Sequence, residues 1–496
     1  MCDEVIEEEK TWREDYLTIL VLGASGDLAQ KKTYPSLINL YAWKLLPKNV
    51  QIIGLARSEM TNEELRDRLK PHLEDKNGHS KETIDDFLNL CTYQSAPSYG
   101  DKETFKSIAK NMEEFETRTP ANRLFYFAIP PSVFSETALA IKETCMQEKG
   151  KGWSRLIVEK PFGKDLQTFE ELNETLSEHF SEEDLYRIDH YLGKELVQNL
   201  LILRFSNVWF ERVWNTDSIQ CVILTFKESI GIEGRGGYFD EYGIIRDIFQ
   251  NHLLQVLALL AMEPPTMADG PDAGTFIRDA KVKVLRSIKP LTMDDVILGQ
   301  YEGYADNSTI KNKDSKTATF AALRLFINTP RWHNVPIIMK AGKALNEGKA
   351  EMRIQFKDAP AGQFIFQGQA CPRNELVMRM QPKEAIYMKT NVKSPGFTST
   401  PIQSELEVNY DSRFEANCNP DAYTRLILDV IRGRHSAFVR DDELRYAWEI
   451  FTPLLHEIEK SGVSPIVYKQ GSRGPPEADD FIEKKAGYIR NKDYKF

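Results

Sequence analysis

Within six residues the chain sets a carboxylate, an imidazole, a phenol and an ammonium: Asp189, His190, Tyr191 and Lys194. On a helix, His190 and Lys194 stand at i,i+4 and Tyr191 and Lys194 at i,i+3, so the spacing predicts three donors converging on one spot. Such a cluster suits a phosphate monoester, whose oxygens accept charge-assisted hydrogen bonds. The run Leu196 to Leu203 behind it reads as a buried helix. Alone, these residues also fit a solvated helix start.

A second constellation lies in Ile244 to Gln255, a predicted helix whose continuation, Val256 to Met262, is apolar all round, the mark of burial. Asp247 and His252 sit at its polar end. A His near a carboxylate is the usual oriented general base, and a core His bonded to a backbone carbonyl is the other reading. The glycine-rich loop Glu233 to Asp240 precedes this helix. Further on, Lys340, Lys343 and Lys349 crowd one loop, which also reads as a solvated basic turn.

These groups need elements to position them. Tyr16 to Leu22 is a β-rich apolar run, as expected of a strand buried on both faces of a parallel sheet. It ends in Gly23-Ala24-Ser25-Gly26-Asp27-Leu28-Ala29, with Lys31 and Lys32 at a helix start. That is a variant of the dinucleotide-binding turn, which sets a pyrophosphate against a helix amino terminus; an ordinary strand-to-helix turn is the alternative. A second strand, Val50 to Ala56, closes the βαβ unit and ends in Arg57-Ser58, with Glu59 one step further, where an NAD site would place Asp or Glu. A guanidinium there suits the 2′-phosphate of NADP, unless Arg57 is only a surface residue. Residues 60–110 read as a charged helical layer. Strands follow at Leu124 to Ile129 and Arg155 to Glu159, the latter leading into Lys160-Pro161 with a cis bond expected.

From Ser218 to Glu228 onward the texture changes to strands with short turns: 318–328, 335–340, 351–356, 375–380 and 385–389. Runs of strands without intervening helices imply an antiparallel sheet. The expected fold is α/β plus α+β, with a Rossmann-like, doubly wound domain over 13–187 and a larger α+β domain over 188–496. Amphipathic helices are expected at 421–431 and 441–460.

The chain has 496 residues, 41% hydrophobic and 28% charged, with a net charge of −10. That balance argues against nucleic acid as a partner. Cys2, Cys91, Cys145, Cys221, Cys371 and Cys418 show neither zinc-ligand nor disulfide-framework spacing, so reduced thiols and no metal are expected. No apolar run reaches membrane-spanning length, and the acidic start is unlike a transit peptide. A soluble cytoplasmic protein is expected.

Gly23 to Ala29, Glu159-Lys160-Pro161-Phe162-Gly163, Arg187 to Glu195, Glu233 to Asp240, Arg246-Asp247 to His252 and Gly342-Lys343-Ala344-Leu345 stand in the order and spacing of one family. The chain resembles glucose-6-phosphate dehydrogenase from about Leu17 to its end. The resemblance implies oxidation of the anomeric hydroxyl of glucose 6-phosphate to 6-phosphogluconolactone, with hydride passed to NADP, the first step of the oxidative pentose phosphate pathway. It implies His252 as the base and Asp189 as the carboxylate that orients it. His190, Tyr191, Lys194 and Lys343 match the phosphate site. Glu228 and Asp247 match hydroxyl-binding positions, Gln381 is a further candidate, and Lys160 lies between sugar and nicotinamide. Gly23, Ala24, Ser25, Gly26, Asp27, Leu28 and Arg57 match the NADP side.

A second, structural NADP in the sheet domain is the further implication, with Lys340, Lys349, Arg353, Arg379, Tyr387, Lys389 and Arg473 as its candidate contacts. Gly348, Phe496 and Glu407 depart from the family pattern. A homodimer or homotetramer through the large sheet is expected. Two other readings remain: an NADP(H)-binding sensor without catalysis, and a dehydrogenase of an unphosphorylated sugar.

Overall fold

The computed structural model describes residues 12–74, 78–234, 236–266, 273–366, 371–397, 400–413 and 419–491. Cys2, Arg235, Cys418 and Phe496 lie outside the described residues. The chain divides into two compact units. One runs to Gly193 and takes in Met267–Arg278 and Ala416–Arg445; the other comprises Lys194–Thr266, Asp279–Glu415 and the residues from Tyr446.

In the first unit the apolar runs become β1 (Tyr16–Leu22), β2 (Asn49–Ala56), β3 (Cys91–Ser95), β4 (Ala121–Phe127), β5 (Ser154–Glu159) and β6 (Leu185–Ile188). They form one sheet in the order β3-β2-β1-β4-β5-β6, and every pair is parallel. This is the doubly wound arrangement, whose crevice opens where the order reverses, at the carboxyl ends of β1 and β4. The charged layer expected over 60–110 contains β3. One of its five residues is buried, so this edge strand carries no apolar run to announce it.

The returning segment of this unit packs the helix Ala422–Arg432 against the helix Tyr34–Ala42 and the His190–Gly193 turn; that helix is capped by Asp421 and ended by Gly433 at φ +75°. Its buried Leu426, Ile427, Val430 and Ile431 form an apolar stripe. Arg155 of β5 donates to the carbonyls of Val430 and Ile431 at 2.7 and 2.8 Å, satisfying the otherwise open carboxyl end of that helix.

The second unit is built on β7 (Ile219–Lys227), β8 (Val296–Tyr301), β9 (Phe320–Leu325), β10 (Ile337–Gly342), β11 (Lys349–Phe356), β12 (Glu375–Gln381), β13 (Ala385–Lys393), β14 (Pro401–Asn409) and β15 (Ile466–Tyr468). Their order is β14-β13-β12-β11-β7-β10-β9-β8-β15. Pairing is antiparallel except for β7 with β10 and β8 with β15. Strands β14 and β15 escape the sequence reading because the first is polar and the second has three residues; β8 opens with the apolar Val296-Ile297-Leu298, a signal that the reading passes over.

Two expected helices take other forms. Ile244 to Gln255 is no single α-helix: Gly243 at φ +67° breaks the chain, a π-helix spans Ile245–Leu253, and an α-helix follows at Leu254–Ala261, all eight residues buried. Likewise His190 and Lys194 do not share a helix. His190–Gly193 is a 3₁₀ turn, while Lys194, with an extended backbone, is the cap of the helix Glu195–Phe205. The turn is tight at Gly193, where a Cβ would lie 2.6 Å from the Ala422 carbonyl oxygen. No described helix is long and apolar enough to cross a membrane. Cys91, Cys145, Cys221 and Cys371 are free thiols.

Candidate active site

Where β1 ends, Gly23 turns the chain at φ +83°, and a Cβ there would lie 2.2 Å from the carbonyl oxygen of Ala128, just past β4. Glycine is required because the backbone after β4 comes this close at the reversal of strand order. The amides of Gly23 and Ala24 donate to Leu55 at 2.8 and 3.1 Å, and that of Gly26 to Gly23 at 2.8 Å. Those three amides therefore shape the loop. Ser25 accepts at its carbonyl from Gln30 at 2.7 Å, and exposed Asp27 pairs with Lys31 at 3.0 Å. Leu28 leads into the π-turn Ala29–Thr33. Arg57, exposed just past β2, lies over the Tyr99 ring at 5.8 Å. A phosphate-bearing nucleotide fits this set: a glycine turn against a helix start, and a guanidinium at the end of β2.

Lys160 follows β5, and its bond to Pro161 is cis. The preceding Glu159 is buried and accepts from the Tyr126 hydroxyl at 2.7 Å. Burial pushes the Glu159 carboxyl up to about 7; the Tyr126 hydroxyl and Lys160 ammonium oppose the rise and the Asp189 charge adds to it. Asp189 is buried just past β6 and accepts the Tyr191 amide at 3.0 Å. Tyr191 is buried too, its ring 5.1 Å from that of His190. Tyr423 also meets His190, nearly parallel with centroids 5.8 Å apart. Neither Glu159 nor Tyr423 was singled out from sequence. Glu159 stands beside Lys160 in a quoted motif, whereas nothing local marks Tyr423.

In the second unit β7 and β10 run parallel with Lys227 opposite Gly342, so Glu228 and Lys343 leave the sheet side by side. The buried Lys343 ammonium bonds to the Glu228 carboxylate and lies 3.5 Å from that of Asp247. It also sits over the Phe239 ring at 5.0 Å. His252 is buried on the π-helix, its ring stacked on Phe226 at 6.4 Å. In a π-helix the bonds close at i→i+5, which brings Asp247 and His252 toward one edge. Lys194 donates to Gln381 at the end of β12, at 3.1 Å. The structure thus places Lys343 with Glu228 and Asp247, and Lys194 with Gln381.

Residues 20–199 match the family profile described as glucose-6-phosphate dehydrogenase, NAD binding domain, and residues 201–491 match glucose-6-phosphate dehydrogenase, C-terminal domain. The chain belongs to the glucose-6-phosphate dehydrogenase family. Within that family, glucose-6-phosphate 1-dehydrogenase 6, cytoplasmic, of Arabidopsis thaliana is 54% identical over 486 residues, covering 96% of this chain and 93% of the relative. Glucose-6-phosphate 1-dehydrogenase of Takifugu rubripes is 48% identical over 504 residues, covering 99% and 93%. A solved structure described as glucose-6-phosphate dehydrogenase in complex with its substrate glucose-6-phosphate superimposes with a TM-score of 0.90 at 46% identity, covering 97% of this chain and 99% of that one.

The second unit also holds a cavity of about 820 Å³ against β7, β10, β11, β12 and β13. Lys340, Lys349, Arg353, Arg379, Tyr387, Lys389 and Arg473 all line it. Alternation along β11 aims Lys349, Glu351, Arg353 and Gln355 into it. Glu407 lies on β14 opposite Tyr387 and is exposed.

Proposed function

We propose that this chain oxidises glucose 6-phosphate at its anomeric carbon to 6-phosphogluconolactone, with NADP as hydride acceptor, at the head of the oxidative pentose phosphate pathway and in the cytoplasm. The observation that carries the reading is Lys343 held between Glu228 and Asp247 at the strand ends, in a chain whose buried His252 lies on the same π-helix as Asp247. His252 takes the anomeric hydroxyl proton while the C1 hydrogen leaves as hydride and the C1–O bond becomes a carbonyl. Asp189 has the role of carboxylate partner to the imidazolium. His190, Tyr191 and Lys194 hold the phosphate, with Gln381 steadying the Lys194 ammonium. Glu228 and Asp247 fix the ring hydroxyls; Lys343, which the resemblance places in the phosphate site, is reassigned to those hydroxyls because both carboxylates enclose it, and Lys160 serves the sugar beside the coenzyme. Residues Gly23 to Leu28 and Arg57 hold NADP, which supplies the hydride acceptor when bound.

Two further assignments belong to this reading. The 820 Å³ cavity takes a second NADP, because its lining carries more cations than carboxylates. A homodimer or homotetramer forms through the sheet face carrying Val392, Ile402, Leu406 and Val408, each at least 40% exposed on paired β13 and β14.

NADPH absorbance tests the assignment, with glucose and NAD as controls. Wild type reduces NADP with glucose 6-phosphate far faster than with glucose, and His252→Asn loses about 10³-fold in kcat. Equal rates with glucose would favour the unphosphorylated-sugar reading. Full activity in His252→Asn would remove the base, and no turnover in wild type would favour the sensor.

A further inference from the structure

The His190–Gly193 turn and the start of the helix Ala422–Arg432 come from distant stretches of the first unit and meet at two points. Gly193 lies so close to Ala422 that a Cβ would come within 2.6 Å of its carbonyl oxygen. One residue on, the Tyr423 ring lies over His190 with centroids 5.8 Å apart and planes 11° from parallel, within the range where aromatic pairs attract. Tyr191 meets the same imidazole at 5.1 Å and 63°. His190 thus packs against both of these rings.

The helix start is itself anchored. Asp421 accepts the amides of Tyr423 and Thr424 at 2.9 and 3.3 Å. Ser36 and Asn39 reach the same carboxylate at 3.5 Å each, and Asn39 bonds the Thr424 hydroxyl at 3.2 Å. Those two residues belong to the helix Tyr34–Ala42, which follows the glycine turn. Burial holds the Tyr423 hydroxyl far above its ordinary range, with the charges of Glu159, Asp189 and Asp421 adding to the rise.

We propose that Tyr423 is a positioning residue for His190, so that the start of the Ala422–Arg432 helix sets how tightly the phosphate end of the sugar is held. A His ring acting as an anion contact has rotational freedom to lose on binding; a parallel ring fixed to an anchored helix removes that freedom beforehand. This rests on the reading of His190 as a phosphate contact.

The test compares wild type, Tyr423→Leu, Tyr423→Phe, His190→Ala and the Leu/Ala double variant, with KM measured for glucose 6-phosphate and for NADP. Tyr423→Leu raises the sugar-phosphate KM about fivefold, the scale of one aromatic pair, and leaves the NADP KM unchanged. Tyr423→Phe, which keeps the ring, stays within about twofold. The double variant is no worse than His190→Ala, because both changes remove one interaction. Additive losses in the double variant, or equal rises in both KM values, overturn the proposal while leaving His190 as a phosphate contact. An unchanged sugar-phosphate KM in His190→Ala removes that contact and the proposal with it. Should Tyr423→Leu not fold, nuclear Overhauser contacts between the Tyr423 and His190 ring protons decide on wild type: present, they support the stack; absent, they refute it.

Discussion

Two regions of the second unit surround their cations differently. At the ends of β7 and β10, Lys343 is enclosed by Glu228 and Asp247, so carboxylates outnumber the ammonium. Against the sheet face, the large cavity sets nine Lys and Arg side chains against six carboxylates. Residual charge sets the two regions apart. The strand-end cluster keeps carboxylate oxygens in excess, which suits neutral hydroxyls, and the cavity keeps a net positive surface, which suits phosphates. A basic residue in a motif therefore says little about anion binding until its carboxylate neighbours are known.

The largest test of this contrast is Arg353→Ala. Arg353 bonds Glu351 at 2.7 Å and Glu375 at 2.9 Å, and these carboxylates are 5% and 2% exposed. Losing the guanidinium leaves them under-compensated and destabilises the protein by about 3 kcal/mol, read as a lower thermal midpoint with kcat retained. An unchanged midpoint would mean that solvent already screens the cavity charges.

Lys343→Ala inverts the outcome. The KM for glucose 6-phosphate rises about 30-fold, about 2 kcal/mol of binding. The thermal midpoint moves little, because Glu228 and Asp247 side chains are 29% and 17% exposed and water can solvate them. A drop in stability matching that of Arg353→Ala would erase the contrast.

The smallest effect is a pH dependence. Burial pulls the Lys340 ammonium down to about 8, below its unfolded value. Lys340 in the folded protein is thus charged below about pH 8 and neutral above it. Thermal protection by NADP, measured on His252→Asn to avoid turnover, is strongest below pH 8 and weakens as pH rises through 8. Without NADP the sign reverses: between about pH 8 and 10.4 the unfolded chain binds the extra proton, so this residue's cost to stability fades as pH rises. Lys340→Met flattens both trends. Protection that strengthens above pH 8 would exclude this ammonium as an anion contact.

Much of this architecture was legible from residue order. The apolar run Tyr16–Leu22 with its glycine turn announced the parallel sheet, and the later strand runs announced the second. Arg57 at the end of β2, Lys160 after β5 and His252 beside Asp247 were visible because each sits at the end or polar edge of a periodic segment. The alternation Lys349, Glu351, Arg353, Gln355 was equally present, since period two along a strand needs only sequence. By contrast, the helix expected to join His190 to Lys194 is a 3₁₀ turn followed by a new helix. Spacing alone does not register that Gly193 is pressed against Ala422.

Residue order by itself determined which groups this protein has for chemistry and which strands carry them, because hydrophobic periodicity and turn residues act locally. Only the tertiary structure decided their partners: Lys343 with two carboxylates, Lys194 with Gln381, and Tyr423 over His190. Those pairings join residues dozens to hundreds of positions apart. They depend on strand register and helix docking, which no local pattern records.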